Sequence, residues 1–318
     1  MKAVLIDSQQ NLVWSDVADP VPKDGEVVIA VRAAGVNRAD LIQRAGNYPP
    51  PPGWPEWPGL ECAGIIDSAP ASSRWKAGDR VCALLGGGGY AEKVAVPEGM
   101  VMPMPRGLGF PEAAALPEAF ATAYLNLFTE ANLQPGETIL VQAGASGLGI
   151  AAIQLAHAFG AKVVTTVGSQ AKVAILKELG ADIVVVRTEQ DLASVMETNP
   201  VNVALDCIGG EALGTCLEKL AIGGRWILVS TLGGVTAQIA LRAVLKRGLM
   251  LKGSTLRSRT NEVKAQILGG LVRDVWPKLE SGAIKPLVHA QLPMPEAAAA
   301  MDILAARQNI GKVILTNP

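Results

Sequence analysis

The sequence has 318 residues, which at roughly 150 residues per domain is enough for two domains. Lysine and arginine number 28 against 29 for aspartate and glutamate, and this formal net charge of -1 gives no reason to expect nucleic acid or an anionic membrane as a partner. No apolar run is long enough to span a bilayer and the start "MKAVLIDSQQNLVW" soon turns polar, so we expect a cytoplasmic protein.

The first hundred residues read as short strands interrupted by glycine and proline. The segments "EVVIAVRAAGVN" and "ECAGIIDSA" predict strands, and "WKAGDRVCALLGGGGYAEKVAVP" predicts a strand, a glycine-rich turn and another strand. The run "NYPPPPGWPEWPG" predicts a rigid loop, because proline lacks a backbone donor and restricts the residue before it. This part of the chain is therefore expected to be a β-rich domain.

The middle of the chain alternates between strands and helices. The short apolar runs "TILVQ", "KVVTTV", "IVVV", "VNVALD", "RWILVS" and "LMLKG" predict strands, and segments such as "GIAAIQLAHAF" predict helices between the first of them. Such alternation is typical of a parallel sheet covered by helices. The final portion breaks the alternation. We therefore predict an α/β protein with a β-rich domain over 1–118, completed by 260–318, and a second domain over 119–259.

A glycine-rich window follows the first strand of that second domain and opens a helix. Gly144, Ser146, Gly147, Leu148 and Gly149 fall in a G-x-G-x-x-G-like frame, with serine at the middle glycine. Small residues let a pyrophosphate approach the backbone, and the helix N-terminus supplies N–H groups and a positive dipole end. The alternative is an ordinary tight strand–helix turn, but this context favours dinucleotide binding.

The end of the next strand distinguishes NADP from NAD. In NAD-selective proteins an acid about 20 residues past the turn binds the ribose 2′-hydroxyl. Here "KVVTTV" ends in Gly168 and Ser169, Lys172 follows, and no acid occurs before Glu178. With Arg187 after the next strand, these residues favour a 2′-phosphate and hence NADPH. Alternatively, both cations are solvated surface charges.

Motifs along nearly the whole chain carry a family resemblance. They are "AGVNRADLIQRAGNYPPPPG", "PGLECAGII", "AGDRVCALLGGGGYAEKVAVP", "PEAFATAYLNLF", "GASGLGIAAIQLA", "LDCIGG", "KGSTLRSR" and "NIGKVIL". In this order the sequence resembles the zinc-free quinone oxidoreductases, the zeta-crystallin-like branch of the medium-chain dehydrogenase/reductase superfamily. The resemblance implies a GroES-like β-rich catalytic domain and a Rossmann domain with a doubly wound parallel sheet.

The resemblance also implies roles for individual residues. Asn37 and Tyr48 would be catalytic residues facing the nicotinamide and the substrate. Without the resemblance, Asn37 reads as a turn-capping amide and Tyr48 as a ring packed on the proline loop. The implied NADPH-binding residues are Thr122, Gly144, Ser146, Gly147, Leu148, Gly149, Gly168, Ser169, Lys172, Arg187, Leu256, Arg257, Ser258 and Asn309. In many relatives a tyrosine stands at position 187.

No metal site is expected. Asn37 stands where zinc-dependent members carry their first catalytic cysteine, and His157 and His289 have no Cys or His partner at ligand spacing. Without a Lewis acid to stabilise an alkoxide, zinc-based alcohol oxidation is not expected.

The expected activity is NADPH-dependent reduction of quinones or similar electrophilic carbonyls, with an amide and a phenol as the polar donors at the developing oxyanion. Two alternatives stay open: an enone or enoyl double-bond reductase, and an NADPH-gated binding protein with little turnover. The resemblance implies a homodimer joined through the sheet edges of the cofactor domains.

Overall fold

A computed structural model describes residues 1–317. The chain forms two compact units, and its last segment returns to the first of them. The first unit comprises Met1–Ala121 together with residues 259–317, and the second comprises Thr122–Ser258.

The strands and helices are as follows in chain order. The strands are β1 (Lys2–Ile6), β2 (Leu12–Asp16), β3 (Glu26–Gly35), β4 (Glu61–Ser68), β5 (Arg80–Leu84), β6 (Lys93–Pro97), β7 (Val101–Pro103), β8 (Thr138–Val141), β9 (Lys162–Val167), β10 (Ile183–Val186), β11 (Val203–Asp206), β12 (Arg225–Leu228), β13 (Met250–Gly253), β14 (Val288–Pro293) and β15 (Lys312–Thr316). The helices are α1 (Arg38–Arg44), α2 (Phe110–Ala114), α3 (Pro117–Tyr124), α4 (Gly147–Ala158), α5 (Val173–Glu178), α6 (Leu192–Thr198), α7 (Gly210–Leu217), α8 (Leu241–Arg247), α9 (Asn261–Asp274), α10 (Trp276–Glu280) and α11 (Ala297–Ala305).

The first unit is built on a mostly antiparallel sheet. Its strands run in the order β14-β15-β3-β4-β5-β7, β6 also pairs with β3, and β1 and β2 form a separate antiparallel pair. The glycine-rich segment after β5 does not make a hairpin, because β6 pairs with β3 instead of β5. The long strand β3 lies between β15 and β4, so residues from both ends of the chain meet on its two sides.

The second unit contains a parallel sheet of order β10-β9-β8-β11-β12-β13. Numbered from β8, this order is 3-2-1-4-5-6, the strand order of a dinucleotide-binding fold, whose topological switch point falls between β8 and β11. Strands β8, β9 and β11 are almost entirely buried, which explains their near-continuous apolar sequences. Trp226 of β12 is wholly buried in the same core.

These observations confirm the predicted α/β fold class, a β-rich domain with a Rossmann-type parallel-sheet domain. The proline-rich stretch 47–60 contains no helix or strand, as its sequence predicts. Within residues 1–317, no helix has both the length and the apolar character that a membrane crossing requires.

Candidate functional site

The turn between β8 and α4 has the geometry of a phosphate cradle. Ser146 is the N-cap residue of α4, and its Oγ accepts a hydrogen bond of 3.0 Å from the N–H of Gly149. The N–H groups of Gly147 and Leu148 have no acceptor among residues 1–317, and both residues are partly exposed. Two unpaired N–H groups at the start of a twelve-residue helix suit a bound pyrophosphate.

The two outer glycines of this turn are required by close packing. A Cβ on Gly149 would lie 2.7 Å from both the Cα and the carbonyl oxygen of Gly144. A Cβ on Gly144 would collide with Oγ1 of Thr165 on β9. The glycines therefore allow α4 to lie against β8 and β9, which brings the helix N-terminus to the carboxyl end of the sheet. The small residues and the unpaired N–H groups of this turn therefore fit the pyrophosphate of a dinucleotide.

The carboxyl end of β9 brings together the residues expected to contact the 2′-phosphate. Gly168 and Ser169 are exposed directly after the strand. The guanidinium Nη2 of Arg187 lies 3.8 Å from the position that a Cβ on Gly168 would take, so Arg187 stands beside this end of β9. Lys172 is partly buried, and this burial lowers the pKa of its ammonium group. A nearby anion would offset that desolvation.

The other expected cofactor residues are distributed over both units. Thr122 lies in α3, and its carbonyl oxygen accepts a hydrogen bond of 2.7 Å from Asn126. Leu256 is buried, whereas Ser258 is exposed and its hydroxyl bonds to that of Thr255. Asn309 is buried in the first unit, where its Nδ2 donates to the carbonyl oxygen of Gly311 at 2.7 Å. That bond fixes the turn that precedes β15.

In the first unit, Asn37 belongs to a buried polar cluster that sequence reasoning missed. Its amide Nδ2 donates to Glu61 Oε1 at 2.9 Å and to the carbonyl oxygen of Gly35 at 3.3 Å. Its Oδ1 accepts from the ammonium Nζ of Lys312 at 2.8 Å. Both N–H protons of the amide are thus engaged, so Asn37 offers no spare donor to a substrate oxyanion.

Lys312 and Glu61 form the centre of this cluster. The Lys312 Nζ lies 2.5 Å from Glu61 Oε1 and also donates to the carbonyl oxygen of Val36 at 2.9 Å. Glu61 is fully buried and Lys312 is 6% exposed. The second carboxylate oxygen of Glu61 accepts the backbone N–H of Glu118 at 2.9 Å. The buried anion is therefore compensated by one cation and two N–H donors.

A second buried carboxyl, Asp40, holds the loop around Asn37. Its Oδ2 accepts the backbone N–H of Asn37 at 2.7 Å and the hydroxyl of Tyr90 at 2.9 Å, and its Oδ1 accepts the N–H of Gly59 at 3.2 Å. Burial raises the pKa of Asp40 to about 6 in spite of these donors. Asn37 is thus fixed by both its backbone and its side chain.

These donor groups do not fit a zinc ion. A zinc ion bound by Asn37 and Glu61 would face the Lys312 ammonium that already contacts both side chains. Within residues 1–317, no group of three or more His, Cys, Asp or Glu side chains is arranged to hold a metal ion. The cysteines Cys62, Cys82, Cys207 and Cys216 are all buried, and burial raises the pKa of the Cys62 and Cys82 thiols far above the ordinary value.

Tyr48, the second expected catalytic residue, lies in the proline-rich loop after α1 and is partly exposed. Its neighbours Pro49 and Pro50 line an open pocket together with Gln43 from α1. Its role at the site stays a prediction.

Two family models match the chain. Residues 23–106 match the alcohol dehydrogenase GroES-like domain, and residues 147–269 match the model described as zinc-binding dehydrogenase. The chain is 34% identical over 308 residues to a quinone oxidoreductase of Rattus norvegicus, covering 95% of this chain and 92% of that protein.

Solved structures agree with this relationship. The quinone oxidoreductase of Thermus thermophilus, which was also determined in complex with NADPH, superimposes with a TM-score of 0.86 at 32% identity and covers 100% of both chains. The JamJ enoyl reductase superimposes with a TM-score of 0.86 at 26% identity and covers 100% of this chain and 99% of that one.

The parallel sheet, the phosphate cradle and these relationships define an oxidoreductase that uses a nicotinamide cofactor. Within that class, the chain belongs to the zinc-free quinone oxidoreductase branch of the medium-chain dehydrogenase/reductase superfamily. The resemblance seen in the sequence is confirmed.

Proposed function

We propose that this protein is an NADPH-dependent reductase of quinones or related electrophilic carbonyls that works without a metal. The observation that carries this proposal is the Lys312–Glu61–Asn37 cluster, in which an ammonium group takes the place that a catalytic metal would need. Oxidation of an alcohol requires a Lewis acid to stabilise the alkoxide, and the cluster offers none. Reduction of an acceptor that takes up electrons readily does not have this requirement, so it is the favoured reaction. The rat and Thermus relatives are named as quinone oxidoreductases.

The cofactor supplies a hydride when it is bound, and the chain supplies binding and orientation. The Gly147 and Leu148 N–H groups, with the Ser146 hydroxyl, would hold the pyrophosphate. Ser169, Lys172 and Arg187 would hold the 2′-phosphate and so select NADPH. The further cofactor contacts proposed are those of Thr122, Leu256, Arg257, Ser258 and Asn309.

The alternative acceptor is an activated carbon–carbon double bond, as the similarity to the JamJ enoyl reductase suggests. Rates of NADPH oxidation with matched panels of quinones and enones would distinguish a quinone reductase from a double-bond reductase. We expect kcat/KM for the best quinone to exceed that for the best enone by at least about tenfold, which corresponds to about 1.4 kcal/mol. The reverse order would favour the double-bond reductase. Tight NADPH binding without turnover on either panel would favour the binding protein.

Replacing Tyr48 by phenylalanine tests whether its hydroxyl donates a hydrogen bond to the acceptor. A phenol stays protonated at neutral pH and can donate to a carbonyl oxygen that gains charge. We expect kcat to fall about tenfold for each 1.4 kcal/mol of transition-state stabilisation lost, with little change in NADPH affinity. Steady-state kinetics of Tyr48→Phe and Tyr48→Ala provide the comparison. If the Phe variant keeps full turnover and the Ala variant shows only a raised KM, the ring only shapes the substrate pocket and its hydroxyl does not donate to the acceptor.

The proposed homodimer is supported by an exposed apolar edge of the second unit. Every residue of β13, the last strand of its sheet, is exposed. Leu241 and Leu245 on α8 are 76% and 83% exposed. An open strand edge beside apolar side chains is a common pairing surface.

We expect sedimentation equilibrium to show a dimer and the double variant Leu241→Glu/Leu245→Glu to shift it toward monomer. Val21→Glu, at a residue 85% exposed in the first unit, is the control. A monomeric unmodified protein would contradict the proposal.

A further inference from the structure

The proline-rich loop 47–60, which carries Tyr48, lies against a run of four glycines at residues 86–89. Hydrogen bonds hold the second half of the loop to this glycine segment. The Gly88 N–H donates to the carbonyl oxygen of Trp57 at 3.0 Å, and the Trp57 indole donates to the carbonyl oxygen of Gly88 at 3.1 Å. The second half of the loop therefore has a fixed place on the glycine segment.

The first half of the loop, residues 48–55, contacts the same segment through side-chain rings. Five of its eight residues are proline, which has no N–H to donate. The Trp54 indole covers Gly86 so closely that a Cβ there would lie 2.7 Å from three of its ring atoms. The Pro55 ring approaches Gly88 in the same way, with 2.8 Å between its Cγ and the position of a Cβ. These contacts require residues without side chains on the glycine segment.

The contact between Trp54 and Gly86 can be changed without disturbing other features. The indole N–H of Trp54 has no acceptor within residues 1–317, so removal of the ring costs no hydrogen bond. Gly86 is not among the glycines with a positive φ, whereas Gly88 has a φ of +88°. An alanine at position 86 therefore acts through the indole, and one at position 88 would also strain the backbone.

We propose that Trp54 and Gly86 are positioning residues for the reduction, a role that rests on the proposed function, because their contact places Tyr48. Carbon atoms pack at about 3.5–4.0 Å, so a Cβ on Gly86 would displace the indole by roughly 1 Å. The prolines between Tyr48 and Trp54 restrict φ, so this displacement passes along the chain to Tyr48. A misplacement of about 1 Å is enough to lose the contribution of a catalytic group.

We expect Gly86→Ala to lower kcat about tenfold with the best acceptor of the two panels, as Tyr48→Phe does, and to leave NADPH affinity within about twofold. Trp54→Leu, which removes the ring, should reproduce this loss. Because both substitutions act through Tyr48, adding either one to Tyr48→Phe should lower kcat by less than about a further twofold. Gly269→Ala is the matched control, since it adds the same methyl group to an exposed glycine of α9 that has nothing within 4 Å.

Hydrogen exchange measured by mass spectrometry reports on the loop independently of turnover. We expect the amides of residues 47–56 to exchange at least about tenfold faster in Gly86→Ala and in Trp54→Leu, and those of 57–60 to exchange as in the unmodified protein. Thermal unfolding of each variant shows whether it is folded. If Gly86→Ala does not fold, Trp54→Leu provides the same test.

Faster exchange of the loop with an unchanged kcat would overturn the positioning role and leave the proposed function standing. A loss of kcat that is equally large in the Tyr48→Phe background would do the same, as would unchanged exchange in both variants. A Tyr48→Phe protein with full kcat would also overturn the role, because Tyr48 would then have no contribution to lose. An unmodified protein without acceptor-dependent NADPH oxidation would contradict the proposed function, and with it this role.

Discussion

Replacing Lys312 by methionine is expected to lower the free energy of unfolding by about 3–5 kcal/mol, because it leaves the buried carboxylate of Glu61 without its cation. The substitution also removes the donors to Val36 and to Asn37 Oδ1. Methionine fills similar space, so the loss of charge and not a cavity dominates the effect. Denaturant unfolding monitored by tryptophan fluorescence measures it.

Two further variants make this test specific. Lys219→Met breaks the ion pair with the exposed Glu197, and exposed pairs contribute about 0.2–1 kcal/mol, so this control should unfold almost as the unmodified protein does. The double variant Lys312→Met/Glu61→Gln should recover part of the lost stability, because no uncompensated charge remains. A Lys312→Met protein destabilised by less than about 1 kcal/mol would show that the pair is not the electrostatic centre of the first unit.

Replacing Ser169 by aspartate is expected to reverse the cofactor preference. The unmodified protein should bind NADPH more tightly than NADH, because each charge-assisted hydrogen bond to the 2′-phosphate contributes about 1.5–3 kcal/mol, or about ten- to a hundredfold. An aspartate at the end of β9 would repel that phosphate and could instead accept from a ribose 2′-hydroxyl. We expect NADPH affinity to fall about a hundredfold, with NADH affinity unchanged or improved.

Thr198→Asp is the matched control for this reversal. It adds the same charge to the exposed end of α6, which returns from the carboxyl end of β10 to the start of β11 and so ends at the amino ends of the parallel strands, away from the carboxyl end of β9. Fluorescence titration of both cofactors against both variants separates a local effect from a general change in charge. Equal affinities of the unmodified protein for NADPH and NADH would contradict the assignment of Ser169, Lys172 and Arg187.

The features that the sequence predicted well are local. The β8–α4 turn could be predicted because small residues in a fixed frame, from Gly144 to Gly149, directly follow a buried strand. The alternation of strands and helices likewise predicted the parallel sheet. The place of Arg187 beside Gly168 follows from the pairing of β9 with β10, which that alternation implies.

The polar cluster could not be predicted in the same way. Glu61 and Lys312 begin the apolar strands β4 and β15, and they meet only because β3 pairs with both of these strands. Pairing between residues from opposite ends of the chain depends on the tertiary fold and leaves no local pattern. The charged residue that begins each strand is not a specific signal, because Lys162 and Arg80 also begin apolar strands and are exposed. The same cluster explains why Asn37 is held by its neighbours and not left available as a donor.

The most direct test is the rate of NADPH oxidation by a simple quinone, measured on protein purified without a metal-affinity step and with its zinc content determined by elemental analysis. We expect saturable turnover from protein that contains far less than one zinc per chain, with no loss of rate after chelator treatment. Stoichiometric zinc whose removal abolishes the activity would contradict the metal-free reductase proposed here, as would the absence of quinone-dependent NADPH oxidation.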